Sequence, residues 1–298
     1  MIYYLTSERS ANLMQVFLAG LGRGLARRIK IVPYEHFLTA TQVRVPFGTY
    51  VFTSFGQSLG SRTPPSAQRN RVVGLHAALL ERLGPDRVLN DPQRSLRRLG
   101  LLQALSHAGL NRFRAYPALD RDPGMRFPVF LRHELGTLWQ APTLIEDAEA
   151  FSAHVRVVKD PGVLAIEFCD TADAQGQYRK YGCFVVGGRI VPRHLFISRN
   201  WLVKAADIVD AAAVDEELAF LAGNPHRAAL LEVCRLARIG YGRIDYAVLD
   251  GQPQVWEINT TPQIVNDPKK DVPQRQIVHA TFARAFCEAL DAIDPPRA

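Results

Sequence analysis

The sequence predicts an α/β protein assembled from three lobes, and three observations support this prediction. Within the first 90 residues, short apolar runs such as 2–5 alternate with stretches whose apolar residues recur at helical spacing, such as 12–25. In the C-terminal half, Gly187-Gly188 and Asp250-Gly251 each separate two strand-like runs, which is typical of a β-hairpin. The chain has 298 residues, of which 47% are hydrophobic, so it is long and apolar enough to bury a large core.

The first predicted lobe, residues 1–90, alternates strands with helices, which favours a mostly parallel sheet. Gly20, Gly22 and Gly24 resemble a dinucleotide-binding loop, but such a loop follows a strand and opens a helix. Here the glycines follow a helix and precede a strand, so we interpret them as the end of that helix. The predicted strands are 2–5, 29–32, 49–52 and 88–89, and the predicted helices are 12–25 and 71–83.

The other two lobes are predicted at residues 91–160 and 161–298. Asp91-Pro92 is a typical helix start, and it predicts a helix that runs to Gly109. The rest of the second lobe is predicted to contain a strand at 127–131 and a helix at 146–158. In the third lobe we predict a strand at 163–168, hairpins at 181–195 and 244–259, and helices at 216–239 and 276–292.

The charge balance is basic, because 36 Lys and Arg residues exceed 29 Asp and Glu residues and give a net charge of +7. The arginines are scattered, with no basic tail and no aromatic residues interleaved among them. A solvated, diffusely charged surface is the main interpretation, and a site for a polyanion such as a nucleotide is the second. Nucleic-acid binding is a third interpretation that rests on net charge alone.

Membrane-spanning and disulfide-rich classes do not fit the composition. No run of about 18 apolar residues is present, and the first residues read as a buried strand rather than a signal peptide. We therefore expect a cytoplasmic protein. The four cysteines are isolated in sequence, and three of them lie in apolar runs, where a reduced core thiol is the usual interpretation. The four are Cys169, Cys183, Cys234 and Cys287.

The residues of greatest chemical interest lie in the hairpin at 244–259. In a strand, residues i and i+2 face the same side, so Glu257 and Asn259 share a face. Pairing about the Asp250-Gly251 turn brings Asp245 close to them. Buried carboxylates are costly unless they are paired or coordinated, and Mg²⁺ takes such oxygens together with substrate phosphates. The pattern therefore predicts a metal site, with a hairpin whose polar residues face solvent as the alternative.

This hairpin resembles the closing motif of the ATP-grasp superfamily. It is most similar to the branch of the ribosomal-protein glutamate ligases, glutathione synthetases and D-alanine–D-alanine ligases. In that pattern an Asp precedes a short hairpin, and Glu-x-Asn and a Pro follow it. Asp245, Glu257, Asn259 and Pro262 match it here. The resemblance implies an ATP-grasp fold behind an N-terminal α/β lobe, with ATP and Mg²⁺ (or Mn²⁺) bound.

Two earlier segments match the family pattern for phosphate binding. A family Lys near a helix start is replaced here by Arg94 or Arg98, of which Arg98 is the residue we predict to bind phosphate. A second Lys, at the end of a strand, is replaced by Arg132. The Gly-rich lid that follows in the family is sparse here, because Gly136-Thr137 is followed by Leu138-Trp139. Fewer glycines imply fewer exposed amides for phosphate.

A third segment matches the hinge that reads the adenine edge in the family. Glu167, Phe168 and Cys169 occupy the hinge, and Asp170 would reach the ribose. Basic residues after the hinge face the transferred phosphate and the substrate carboxylate in the family. The candidates here are Lys180, predicted to bind nucleotide, Arg193 and Arg199, predicted to be catalytic with Arg132, and His194 and Lys204. His133 and His194 are also candidate proton acceptors, although a structural role is the main interpretation of each.

The resemblance implies an ATP-dependent carboxylate–amine ligase that works through an acylphosphate and releases ADP. Its substrates would be a small-molecule or peptide carboxylate and an amine. A non-catalytic nucleotide-binding scaffold and a phosphotransferase on the same fold stay open as alternatives, and so does a homodimer. Substrate specificity is expected to come from the first lobe and the loop at 196–204.

Overall fold

A computed structural model describes residues 1–35, 45–54, 66–136, 141–265 and 273–294. These residues form three sheets with helices packed against them. The strands are β1 Ile2–Thr6, β2 Ile29–Pro33, β3 Thr49–Phe52, β4 Val88–Leu89, β5 Ala115–Pro117, β6 Val129–His133, β7 Val163–Glu167, β8 Tyr178–Val186, β9 Arg189–Ser198, β10 Tyr241–Leu249 and β11 Gln252–Asn259. The helices are α1 Glu8–Ala19, α2 Ser66–Leu83, α3 Arg98–His107, α4 Ala148–Val155, α5 Ala211–Gly223, α6 Arg227–Ala237 and α7 Gln276–Ala292.

The first sheet has the order β2-β1-β3-β4, and each of these pairings is parallel. This confirms the α/β prediction for the N-terminal part of the chain. Helix α1 ends at Gly20, whose N–H donates to the Phe17 carbonyl. A side chain at Gly22 would clash with the Phe17 ring, because a Cβ there would lie 2.3 Å from it. The glycine run is therefore the end of a helix, as predicted.

The central sheet has the order β5-β7-β6 and is antiparallel. Strand β7 belongs to this sheet, whereas the sequence prediction placed it in the third lobe. Helix α3 starts at Arg98 rather than at Asp91, so the predicted helix start was wrong. The Asp91 carboxylate instead accepts bonds from the amides of Gln93 and Arg94 and closes a separate turn.

The third sheet has the order β11-β10-β8-β9, and both predicted hairpins are present in it. The single helix predicted at 216–239 is wrong, because α5 and α6 are separate helices. Asn224 ends α5 in the left-handed region, with φ of 43°. Pro225 follows it and cannot donate the backbone hydrogen bond that a continuous helix requires.

Asn90 joins the first sheet to the third. Its amide nitrogen donates to the carbonyls of Phe52 and Tyr241 at 2.8 and 2.9 Å. Its amide oxygen accepts from the backbone N–H groups of Gly240 and Tyr241. These bonds fix the position of β10, which carries Asp245, relative to the first lobe. In the part of the chain described above, no helix is long and apolar enough to cross a membrane.

Candidate active site

A cleft of about 350 Å³ lies where the central sheet meets the third sheet. One end of the cleft is apolar and is lined by Phe130, Ile166, Phe168, Cys169, Trp201 and Trp256. The other end is charged. Its cations are Arg98, Arg132, Arg179, Lys180, Lys204 and Arg243, and its acids are Asp245 and Glu257.

The acids come from the predicted hairpin, and its register explains their proximity. Asp245 in β10 lies directly opposite Glu257 in β11, and Arg243 lies opposite Asn259. Directly opposed side chains of antiparallel strands share a face, so all four lie on one face of the hairpin, and Arg243, Asp245 and Glu257 line the cleft. This confirms the predicted shared face. The solvent-facing alternative does not hold for Asp245, which is only 2% exposed.

The Asp245 carboxylate is neutralised by two cations. Arg243 donates to it through Nε at 2.6 Å and Nη2 at 2.9 Å, and Lys180 Nζ lies 2.9 Å away. Burial alone would raise the pKa of Asp245, but the charges of Arg243 and Lys180 hold it well below its ordinary value. Asp245 is therefore an anion at neutral pH, despite its burial.

Glu257 is held by Arg98, the first residue of α3. The Arg98 guanidinium donates to the Glu257 carboxylate, to the His133 carbonyl and, at 3.1 Å, to the Gly136 carbonyl. Burial raises the pKa of Glu257, but the charges of Arg98, Arg132 and Lys180 together more than offset this effect, so the pKa lies below its usual value. The other sequence candidate, Arg94, is exposed and does not line the cleft.

The donor set fits a hard cation that also binds phosphate. Within the described residues, no three His, Cys, Asp or Glu side chains are placed to hold a metal ion. The hairpin instead offers two carboxylates and the amide of Asn259, whose oxygen accepts from the Thr261 N–H at 2.8 Å. Mg²⁺ usually takes one or two protein carboxylates and completes its coordination with phosphate and water. Asp245, Glu257 and Asn259 could hold Mg²⁺ in this way.

Arg132 is a cation of the cleft whose guanidinium is available to a ligand. It lies in β6 and lines the cleft, and no described group forms a hydrogen bond or ion pair with its guanidinium. Burial lowers the pKa of Arg132 from its ordinary value, but an arginine stays charged under these conditions. A partly buried guanidinium without a hydrogen-bond partner can bind an anion strongly.

The apolar end of the cleft forms a slot for a flat ring. The Trp201 ring lies 5.3 Å from that of Phe130 and 5.6 Å from that of Phe168, measured between centroids. Phe168 and Cys169 line the slot, as the hinge prediction requires. The Phe168 N–H is already used, because it donates to the Pro128 carbonyl at 2.9 Å.

The other two hinge residues do not line the cleft. The Glu167 carboxylate points into the central lobe, where it accepts bonds from Arg114, Tyr116 and Arg126. Burial raises the pKa of Glu167, but the bonds from Arg126 and Tyr116 hold it at about 2. Asp170 is exposed, and its carboxylate accepts from the Ala172 N–H.

The structure does not bring Arg193 or Arg199 to the cleft lining. Arg193 is 2% exposed; its Nε donates to the Ile264 carbonyl at 2.8 Å and its guanidinium lies 4.7 Å from the Phe282 ring centroid. Arg199 is exposed, and its backbone N–H donates to Asp207.

The two candidate histidines have structural surroundings. His194 is stacked on Phe196 at 4.1 Å and occupies the space that a side chain at Gly182 would need. Burial lowers the pKa of His194 well below its usual value, so its ring is neutral at pH 7. His133 accepts a bond from the Leu135 N–H and lies 3.2 Å from the Asp160 carboxylate.

Among the cleft residues that the sequence analysis missed are Arg243, Trp201 and Trp256. The position of Arg243, two residues before Asp245 in the same strand, was a usable signal because such residues share a face. Trp256 also lies beside a predicted ligand. Trp201 lies in a loop, whose path the sequence pattern does not specify. Thr137, Leu138 and Trp139 of the predicted lid lie outside the described residues.

Sequence comparison identifies no matching family model and no matching curated protein. Solved structures do match over nearly the full length. D-alanine–D-alanine ligase from Bacillus anthracis is 14% identical, with 98% of each chain covered and a TM-score of 0.54. The ATP-grasp ligase PsnB is 15% identical, with 98% of this chain and 96% of that chain covered and a TM-score of 0.58. A RimK domain ATP-grasp protein from Sphaerobacter thermophilus is 15% identical, with 97% and 100% covered and a TM-score of 0.52. The chain therefore has the ATP-grasp fold that the hairpin motif predicted.

Proposed function

We propose that the protein is an ATP-dependent carboxylate–amine ligase that forms an amide or peptide bond and releases ADP. The observation that carries this proposal is the cleft, in which an apolar slot adjoins a cluster of cations and two opposed acids. Two proteins of similar fold support it. PsnB has been solved with Mg and ADP and with a precursor peptide, and D-alanine–D-alanine ligase has been solved with ATP.

We propose a role for each group of residues from its position in the cleft. The slot between Phe168 and Trp201 would hold the base, and Arg132 and Lys180 would bind the phosphates. A bound Mg²⁺ would supply positive charge to neutralise the nucleotide phosphates. Asp245, Glu257 and Asn259 are the ligands we propose for it, because they share one face of the hairpin.

The proposed reaction has two steps. An oxygen of the substrate carboxylate attacks the γ-phosphorus, the bond to the β,γ-bridging oxygen breaks, and ADP leaves. The amine then attacks the acyl carbon, phosphate leaves, and the amine loses a proton to solvent. Arg132 and Arg243 would stabilise the negative charge on the transferred phosphoryl group, since both are cations facing the cleft. Catalytic roles for Arg193 and Arg199 stay predictions.

The substrate classes proposed are a small-molecule or peptide carboxylate and an amine, as the sequence resemblance implies. A cytoplasmic location and a homodimer also stay predictions.

The proposal is tested by measuring nucleotide products with panels of carboxylates and amines in the presence of Mg²⁺. We expect ADP and phosphate to be released with the correct pair, and hydroxylamine to trap the acylphosphate as a hydroxamate. AMP as the product would contradict the mechanism. ADP without a hydroxamate would indicate a phosphotransferase, and ATP binding without turnover would indicate a scaffold.

A further inference from the structure

The two acids of the cleft are already neutralised by protein cations. Arg243 and Lys180 contact Asp245, and Arg98 contacts Glu257. These five side chains carry three positive and two negative charges, so the group has a net charge of +1. The acids are therefore not an open binding site for a free divalent cation.

Arg98 differs from the other two cations in its position. It is the first residue of α3, and it contacts the end of β6 through the His133 and Gly136 carbonyls as well as Glu257 in β11. Its side chain is only 7% exposed, so it cannot leave Glu257 for bulk water without losing buried contacts. It also lines the cleft, where a polyphosphate would offer it a stronger anion.

A metal ion without nucleotide would bind weakly to this group of side chains. It would add two positive charges to a group that is already cationic, and it would have to displace Arg98 to reach the Glu257 carboxylate. Such competition is strong where water is largely excluded, since charges interact more strongly at low dielectric. A polyphosphate removes this obstacle because its oxygens can accept hydrogen bonds from Arg98 in place of Glu257. The same polyphosphate also brings oxygen ligands for the metal.

We infer that Arg98 couples nucleotide binding to metal binding by holding Glu257 in the nucleotide-free protein and moving to the phosphates when nucleotide binds. The inference rests on the proposed function, because it requires a nucleotide in the cleft. It predicts that the protein binds a divalent cation weakly by itself and much more tightly with nucleotide. By thermodynamic linkage, the cation must strengthen nucleotide binding by the same factor.

The test measures Mn²⁺ binding to the nucleotide-free protein by electron paramagnetic resonance. Arg98→Gln removes the competing charge, so we expect its Mn²⁺ affinity to rise by about tenfold or more, equivalent to about 1.4 kcal/mol. Arg94→Gln is the matched control, since it makes the same charge change four residues earlier on an exposed side chain. We expect the control to change Mn²⁺ affinity by less than about twofold, as is usual for exposed charges.

A second measurement uses ADP without metal and does not depend on the Arg98 variant alone. Glu257→Gln frees Arg98 for phosphate, so ADP should bind more tightly to this variant than to the wild type. In a double-mutant cycle, that gain should disappear when Arg98→Gln is also present. Two results would overturn the inference. The first is that Glu257→Gln strengthens ADP binding equally with Arg98 and with Arg98→Gln. The second is that nucleotide-free Arg98→Gln binds Mn²⁺ with the affinity of the wild type. If wild-type protein bound no ADP with or without Mn²⁺, the proposed function would fail as well.

Discussion

Asp245 is the single residue on which most of the proposed chemistry depends. It is buried, it lies opposite Glu257, and it is bonded by Arg243 and Lys180. Asp245→Asn should lower Mg²⁺-dependent ATP turnover by at least about 100-fold, because a preorganised electrostatic group is worth roughly 10²–10³ in rate. The variant also leaves two cations without their partner, so its melting temperature must be measured and turnover compared well below it. Turnover close to that of wild type would remove Asp245 from the proposed site.

Arg132 provides a test of phosphate binding that does not involve the metal ligands. Since no described group pairs with it, Arg132→Gln should leave the fold stable and weaken ATP binding. A charge-assisted bond is worth roughly 1.5–3 kcal/mol, which corresponds to a loss of about 10- to 150-fold. Arg156→Gln, which changes an exposed cation outside the cleft lining, is the control. Titration calorimetry should separate the two variants, and equal effects would place Arg132 outside the phosphate site.

Cys169 gives a chemical probe of the apolar slot. It is half-buried in the cleft lining, and burial raises the pKa of its thiol, so we expect slow alkylation at neutral pH. Bound ATP should cover Cys169 and slow its alkylation by iodoacetamide by about tenfold or more, whereas that of Cys287, half-buried in α7, should not change. Mass spectrometry of the labelled peptides gives both rates. Equal labelling of Cys169 with and without ATP would show that nucleotide does not occupy the slot.

At the scale of elements, Glu167 fixes the end of β7 to its neighbours. Its buried carboxylate accepts bonds from Arg114 and Tyr116, which flank the start of β5, and from Arg126 just before β6. Three segments of the central sheet therefore meet at one charge. Because Phe168 and Cys169 follow directly, this network sets the position of the hinge that lines the slot.

The pKa of Glu167 predicts how acid affects the protein. The pKa is about 2 in the folded protein and about 4.3 in an unfolded chain. The folded state therefore binds fewer protons, and the stabilisation is fully present above about pH 4.5 and is lost as pH falls toward 2. Urea unfolding should be measured at several pH values. At pH 7 the Glu167→Gln variant should have a smaller free energy of unfolding than the wild type, and between pH 5 and 3 that free energy should change less with pH. The control is Glu81→Gln, on an exposed face of α2, whose free energy of unfolding should depend on pH as that of the wild type does.

Sequence patterns predicted strands and hairpins better than helix limits. Alternation and turn residues located β8 to β11, because Gly187-Gly188 and Asp250-Gly251 specify tight turns directly. The predicted helix at 216–239 spanned a break at Asn224 and Pro225, because the apolar spacing continues on both sides of it. Strand β5 has only three residues, too few for alternating hydrophobic and polar positions to identify it as a strand. The acids of the site were predictable from strand geometry, and Arg98 and Lys180 were predicted as site residues, but their ion pairs with the acids were not, because Arg98 and Lys180 come from other elements than the hairpin.

At the scale of the whole molecule, the cleft depends on the joining of three sheets that are separate in sequence. Asn90 connects the first sheet to β10, and α3 extends from the central region to contact Glu257 through Arg98. Helix α7 packs against the first and third sheets in one core, where Phe282 and Phe286 contact Phe184. The acids on the third sheet are thereby held facing the slot on the central sheet.

The central claim is that ATP activates a carboxylate by phosphoryl transfer within this cleft. The most direct test uses a carboxylate that supports ADP release, labelled with ¹⁸O on both carboxyl oxygens, together with Mg²⁺, ATP and the amine. Attack by the carboxylate on the γ-phosphorus transfers one labelled oxygen, so mass spectrometry of the released phosphate should find one ¹⁸O atom per molecule. Phosphate without label, or label recovered in AMP, would contradict the claim.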